Sequence, residues 1–153
     1  MKTNSPKHGA KARAAARLAA VQALYQYDME ATGLVQLLDE FHQHRLGHEI
    51  DDEQYIVAES AFFDDLVKGV IARRDEIDGL LSERLAQGWS IGRIDKTMLQ
   101  ILRAGTYELI ARPDVPTGTA IGEYLDVAHA FFDEREAKFV NGVLDAVAKE
   151  KRG

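Results

Sequence analysis

The sequence predicts an all-α chain of roughly seven helices. Apolar residues recur at three- and four-residue spacing in one stretch after another, the pattern of a helix with one buried face. Strand signals are absent: there are only three prolines, no Asn-Gly turn between alternating runs and no repeat of fixed period. An alanine-rich run near the N-terminus adds strong intrinsic helix propensity.

Residues 1–9 lack apolar periodicity, and Pro6 and Gly9 oppose a helix, so this segment is expected to be a flexible basic arm. From Ala10 a helix follows. Leu18, Val21 and Tyr25 share one face with Leu24 beside them, and Arg13 and Arg17 are i, i+4 neighbours on the adjoining side. One end of this helix is expected to be buried and the other to present paired guanidinium groups. Gly33 is expected to end it. Leu34 to Phe41 forms a second, shorter helix, and a polar loop follows around Gly47 to Glu53. His44 and His48 have a chelating spacing, but no convincing further ligand accompanies them, so no metal is expected.

Gln54 to Arg74 reads as a long helix that continues through Asp75 to Ala86, with Asp78-Gly79 as a weak point. Gln87 to Gly92 breaks the pattern, and Trp89 and Ile91 are expected to tuck the connection against the core. Ile94 to Ala111 is the most apolar stretch and is expected to be the central helix. Pro113 and Pro116 stop it. Thr117 or Thr119 is expected to cap the next helix, which runs to about Phe132. Asp133 and Glu136 have the spacing of a capping box at the start of the last helix. There Val140, Val143, Leu144 and Val147 make one face, with Lys138, Asp145 and Lys149 opposite. Asn141-Gly142 falls inside this pattern and is not read as a turn. Phe139 sits roughly a quarter turn from the centre of the apolar stripe. At this level it is either a wedge between helices or a platform for a partner.

A chain of 153 residues can build one compact domain or two small subdomains, and 46% hydrophobic with 29% charged residues is ordinary for a globular protein. No apolar run reaches the roughly 18 residues of a membrane span. The polar N-terminus has no apolar signal core. With no cysteine, disulfides, thiolate catalysis and cysteine-ligated metals are excluded, and a cytoplasmic location is expected. The net charge of −6 is unevenly spread. Lys2, Lys7, Lys11, Arg13 and Arg17 precede the first carboxylate, Asp28, and the other 14 Lys and Arg against 25 Asp and Glu leave residues 28–153 at −11. A basic leader on an acidic body is either an anion-seeking arm, commonly for nucleic acid, or a solubilising tail.

No nucleophile elbow, Walker loop or dinucleotide fingerprint occurs. Thr117 to Gly122 contains two glycines but follows a proline turn rather than a strand, so it reads as a helix start. No enzyme activity and no cofactor are expected.

Three stretches together carry a resemblance. They are Arg17-Leu18-Ala19-Ala20-Val21-Gln22-Ala23-Leu24-Tyr25 behind the basic arm; Ile101-Leu102-Arg103-Ala104-Gly105-Thr106-Tyr107-Glu108-Leu109 followed by Asp114-Val115-Pro116; and Lys138-Phe139-Val140-Asn141-Gly142-Val143-Leu144-Asp145. Over nearly its whole length the chain resembles the NusB transcription antitermination factor family. The resemblance implies two small packed helical subdomains, here about 10–88 and 89–153, and no catalysis. It implies binding to boxA single-stranded RNA of ribosomal RNA operons together with the ribosomal protein NusE, within an RNA polymerase antitermination complex. A homodimer through the partner surface is also compatible with it. RNA contacts are carried over to Lys7, Lys11, Arg13, Arg17, Lys138 and Phe139, since cations on phosphates and aromatic faces on bases grip a single strand. Protein-partner contacts are carried over to Tyr25, Asp95 and Arg103. Met98 and Leu99 stand where many relatives carry an acidic-basic pair, and Arg135 where some have an acidic residue near the RNA. NusB-like domains also occur fused to RNA cytosine methyltransferases, but 153 residues leave no room for that catalytic domain. A protein-only helical adaptor is the other alternative.

Overall fold

The computed structural model describes the backbone of residues 6–46, 53–85 and 88–153, with side chains omitted at 6–8, 53–56 and 58. Among these residues there are α-helices and one short 3-10 turn, and no strand. The helices are α1 (Pro6–Met29), α2 (Leu34–His44), α3 (Glu53–Ala72), α4 (Arg74–Arg84), α5 (Lys96–Ala111), α6 (Thr117–Phe131) and α7 (Glu134–Lys151), with the 3-10 turn at Ile91–Arg93 before α5.

The chain divides into two compact units, Met1–Lys68 and Gly69–Gly153. The division falls inside α3 rather than near residue 88. The reason lies in α4, which packs on α5 and α7. Arg103 of α5 donates to both carboxylate oxygens of Asp78 of α4, at 2.9 and 2.8 Å. Arg84 of α4 is also paired with Glu150 of α7.

In the first unit α1 packs on α2. The expected flexible arm over 1–9 is corrected at its end, because α1 already begins at Pro6. Proline suits the first helical turn, where its missing N–H would have no partner in any case. Ala12, Ala16, Ala20 and Ala23 are all fully buried along one stripe of α1, which allows close approach of a neighbouring helix. Phe41 of α2 stacks on Phe63 of α3 with ring centroids 5.4 Å apart. Gly33 does not terminate α1, which stops at Met29; with φ −69° and ψ 155° it is the N-cap of α2.

In the second unit α5, α6 and α7 pack mutually around α5. Every residue of α5 from Met98 to Leu109 is buried, as expected of the central helix. Asp95 caps its N-terminus, accepting from the Thr97 and Met98 amides at 2.8 and 3.1 Å. Glycine is needed at 105: a Cβ there would lie 2.9 Å from Leu144 Cδ1 and 3.4 Å from Tyr124 Cδ2. The Tyr124 hydroxyl donates to buried Glu108 at 2.8 Å. Arg152, just past α7, donates to the carbonyls of Leu109 (2.9 Å), Arg112 (2.8 Å) and Val115 (2.7 Å) and to the Thr117 hydroxyl (3.0 Å). It therefore satisfies carbonyls that the end of α5 and the following turn leave open, with a cation where the helix dipole favours one.

Three local expectations are corrected. The α3–α4 break is at Arg73 rather than at Gly79; Arg73 is the N-cap of α4, and its side chain donates to both carboxylate oxygens of Glu76 in the first turn at 2.9 Å. Neither Thr117 nor Thr119 caps α6; Pro116 holds the N-cap position, and Thr117 is engaged by Arg152. Asp133 is the N-cap of α7 but makes no side-chain cap bond, and Glu136 Oε1 is buried without a partner instead of closing a capping box.

Candidate nucleic-acid interface

The cationic start of α1 does not present two equivalent guanidinium groups. Arg13 is half-buried, with its Cζ 4.5 Å from the centroid of the Phe62 ring. Arg17 is only 2% exposed and its Cζ lies 5.1 Å from the same ring. Both cations therefore stack on one phenyl of α3, which favours them electrostatically where they are partly desolvated. Arg17 is thereby corrected from a direct RNA contact to a residue that holds this arrangement. Lys11 is exposed and borders a shallow groove of about 340 Å³ with Ala14, Leu18, Gln22, Arg45 and Glu59. Arg45 stacks over Phe41 with its Cζ 4.7 Å from the ring centroid, and donates to Gln22 Oε1 at 3.4 Å. Arg45 and Phe62 were not singled out from sequence. The i, i+4 spacing of Phe41 and Arg45 was an available signal, whereas the pairing of Phe62 with α1 needed the fold. Lys7 lies in α1, but its side chain is outside the described residues.

In the second unit, the start of α7 places Lys138 in solvent and Phe139 half-buried at the edge of the packed face. Phe139 lines a groove of about 480 Å³ together with Trp89, Arg93, Ile94, Asp95, Met98, Arg135 and Glu136. Trp89 does not tuck against the core as expected. It is 54% exposed, and buried Ile94, at 5%, anchors the connection instead. Arg93 lies over the indole with its Cζ 5.6 Å from the centroid, and its Nη1 donates to the Gly88 carbonyl at 2.8 Å. Trp89, Arg93 and Glu136 thus join a site for which the sequence offered Lys138 and Phe139, with Arg135 nearby.

The residues assigned to a protein partner fare differently. Tyr25 is 39% exposed and available for contact. Asp95 is exposed, with one carboxylate oxygen occupied in capping α5. Arg103 is 4% exposed and held by Asp78, so its assignment as a direct partner contact is corrected: burial and a bidentate ion pair keep it inside the unit. Met98 and Leu99 are likewise buried. His42 pairs with Asp64 at 2.6 Å, and no cluster of potential metal ligands occurs among the described residues. His48 lies outside them. No described helix is long and apolar enough to cross a membrane.

The chain matches the NusB family over residues 14–149. It is 76% identical over 142 residues to the transcription antitermination protein NusB of Novosphingobium aromaticivorans, covering 93% of this chain and 96% of that protein. Among solved structures it is similar to NusB of T. maritima, with a TM-score of 0.78 and 31% identity over 100% of this chain and 96% of that one. It is also similar to a chain in the crystal structure of the antitermination factors NusB and NusE with double-stranded RNA. There the TM-score is 0.73 and the identity 27%, over 92% of this chain and 98% of that one.

Proposed function

The chain belongs to the NusB family, and from that premise we propose that it is a transcription antitermination factor that holds the boxA strand of nascent ribosomal RNA together with the ribosomal protein NusE. It acts by binding, as part of the complex that keeps RNA polymerase processive, and has no catalytic step of its own. The observation that carries the residue assignment is that the start of α7 combines a surface cation with a half-buried aromatic ring, while α1 offers cations alone. On α7 these are Lys138 and Phe139; on α1 the cations are exposed Lys11 and half-buried Arg13, whose ring partner Phe62, on α3, is only 4% exposed. Cations meet phosphates while a flat ring accepts the face of an unstacked base, a combination suited to single-stranded RNA.

Lys7, Lys11, Arg13, Lys138 and Phe139 are assigned to RNA. Arg17 positions Arg13 by sharing its ring. Tyr25 and Asp95 are assigned to the protein partner, and Arg103 supports the Asp95-bearing helix from within. The acidic composition beyond residue 27 suits a basic ribosomal protein, since opposite charge accelerates and orients encounter. The test is boxA affinity of the Arg13→Ala/Lys138→Ala variant, read by anisotropy of labelled RNA. Removing two phosphate contacts should weaken binding at low salt and flatten the log–log salt slope by roughly 1.4. Unchanged affinity and slope would remove these residues from the interface.

A further inference from the structure

The groove of the first unit continues past the start of α1 and ends at a cation that the assignments above do not use. Ala14, Ala15 and Leu18 are half-buried and form its floor, with Lys11 at one end and Gln22 at the other. Lys11 and Gln22 are eleven positions apart on one helix, about 16 Å by helical rise. Arg45, the C-cap of α2, reaches the groove beside Gln22. The carboxylate among the lining residues, Glu59, is only 1% exposed, so the ionic groups shown to solvent are cations. Arg45 is exposed, yet its guanidinium is steadied by the Phe41 ring, 4.7 Å from Cζ, and by Gln22 Oε1, to which Nη1 donates at 3.4 Å. Among the described residues it is in no ion pair, whereas Arg73, Arg84, Arg103 and Arg112 each hold a carboxylate. A guanidinium held in place and not neutralised is suited to a phosphate, and the Gln22 carboxamide keeps its NH2 group as a further donor.

We propose that this groove is a backbone track for RNA: the sugar–phosphate chain that meets the cationic start of α1 runs on over Ala14, Ala15 and Leu18, and Arg45 holds a phosphate at the far end. Methyl groups on the floor offer a base neither a stacking face nor a hydrogen bond, but they let a backbone approach α1 closely. The phosphate grip beyond Lys11 is then supplied across the groove from α2, where α1 itself carries only alanines and Leu18. The track is continuous with Lys11, which is already assigned to RNA. Its exposed cations would repel the basic ribosomal protein and attract the strand. The inference rests on the RNA-binding reading above and adds to it a phosphate contact from a second helix.

The test titrates labelled boxA RNA with the full chain and with three variants, reading anisotropy across a salt series and melting temperature as the check on folding. Arg45→Ala should bind about 2- to 5-fold more weakly at low salt, the value of an exposed ion pair. Its log–log salt slope should flatten by roughly 0.7, the share of one phosphate on a single strand. Arg45→Lys keeps the charge and should keep the parental slope. Ala15→Glu places a carboxylate on the floor and should weaken RNA binding at least as much as Arg45→Ala. If Arg45→Ala or Ala15→Glu binds as well as the parent while Arg13→Ala/Lys138→Ala is impaired, the track is overturned and the RNA-binding reading stands. Weaker binding of Arg45→Ala at an unchanged slope also overturns it, because the lost contact is then not to a phosphate. If Arg45→Ala loses affinity for the ribosomal protein and keeps it for RNA, the groove is a protein-docking site and the proposal is wrong. Absence of RNA binding by the parent chain overturns the proposal together with the reading beneath it.

Discussion

Arg13 and Arg17 are one helical turn apart and share one ring, yet their substitutions should differ. Arg17→Ala empties a buried position over Phe62 and is expected to lower stability by about 1–2 kcal/mol, as seen in a denaturant midpoint. Arg13→Ala should leave that midpoint nearly unchanged and weaken RNA binding instead. Phe139→Ala should also act on binding, by about 1–3 kcal/mol for one lost stacking platform, with a smaller effect on melting. A large fall in melting temperature with intact RNA affinity would make Phe139 a packing residue. Arg103→Ala leaves Asp78 without its bidentate donor and is expected to cost about 2–3 kcal/mol of stability. Partner binding measured on the folded fraction should persist. The distinction between surface and buried arginines was not legible in the sequence. Helical spacing put Arg13 and Arg17 one turn apart on one side of α1, but their exposure depended on Phe62, 45 or more positions away, and that of Arg103 on Asp78, 25 positions away.

Element existence was the more legible scale, because amphipathic periodicity is a local property. The apolar faces of α5 and α7 follow from spacing alone, whereas the burial of Gln100, Arg103 and Glu108 on α5 does not. Caps and breaks were less legible, because competing hydrogen-bond partners decide them. Thr117 is engaged by Arg152 from 35 residues away, and Arg73, at the break between α3 and α4, pairs with Glu76 in the first turn of α4. Arg73 holds the Glu76 carboxyl below its ordinary range, chiefly through their hydrogen bond. A carboxyl lowered on folding stabilises above its ordinary range, and that contribution is lost as pH falls through the lowered value. Glu76→Gln should therefore remove a small acid-side slope in stability without affecting the neutral-pH fold. At the end of α5, Arg152→Ala withdraws several donors from backbone carbonyls and is expected to cost about 1–3 kcal/mol. Gly105→Ala should cost a similar amount, about 1–3 kcal/mol, by forcing a methyl group against Leu144. Both effects are read from denaturant midpoints.

For the whole molecule, the uneven charge links sequence to behaviour in solution. Five cations precede the first carboxylate while residues beyond 27 carry a net −11, so RNA and a basic protein can be recruited by different parts of one acidic chain. Composition made this legible, together with the absence of catalytic motifs and the three stretches shared with the NusB family. The pocket formed by Trp89, Arg93, Glu136 and Phe139 was not legible, because its residues come from a connection and a helix start that are 50 positions apart. Three to five phosphate contacts on a single strand predict a log–log salt slope of roughly −2 to −3.5. The most direct measurement is the affinity of the full chain for boxA RNA and for a shuffled strand of equal composition, at two salt concentrations, with and without the ribosomal partner. The account predicts tighter binding of boxA, a further gain with the partner, and weakening by salt at that slope. Equal affinity for both strands in the presence of the partner would contradict it.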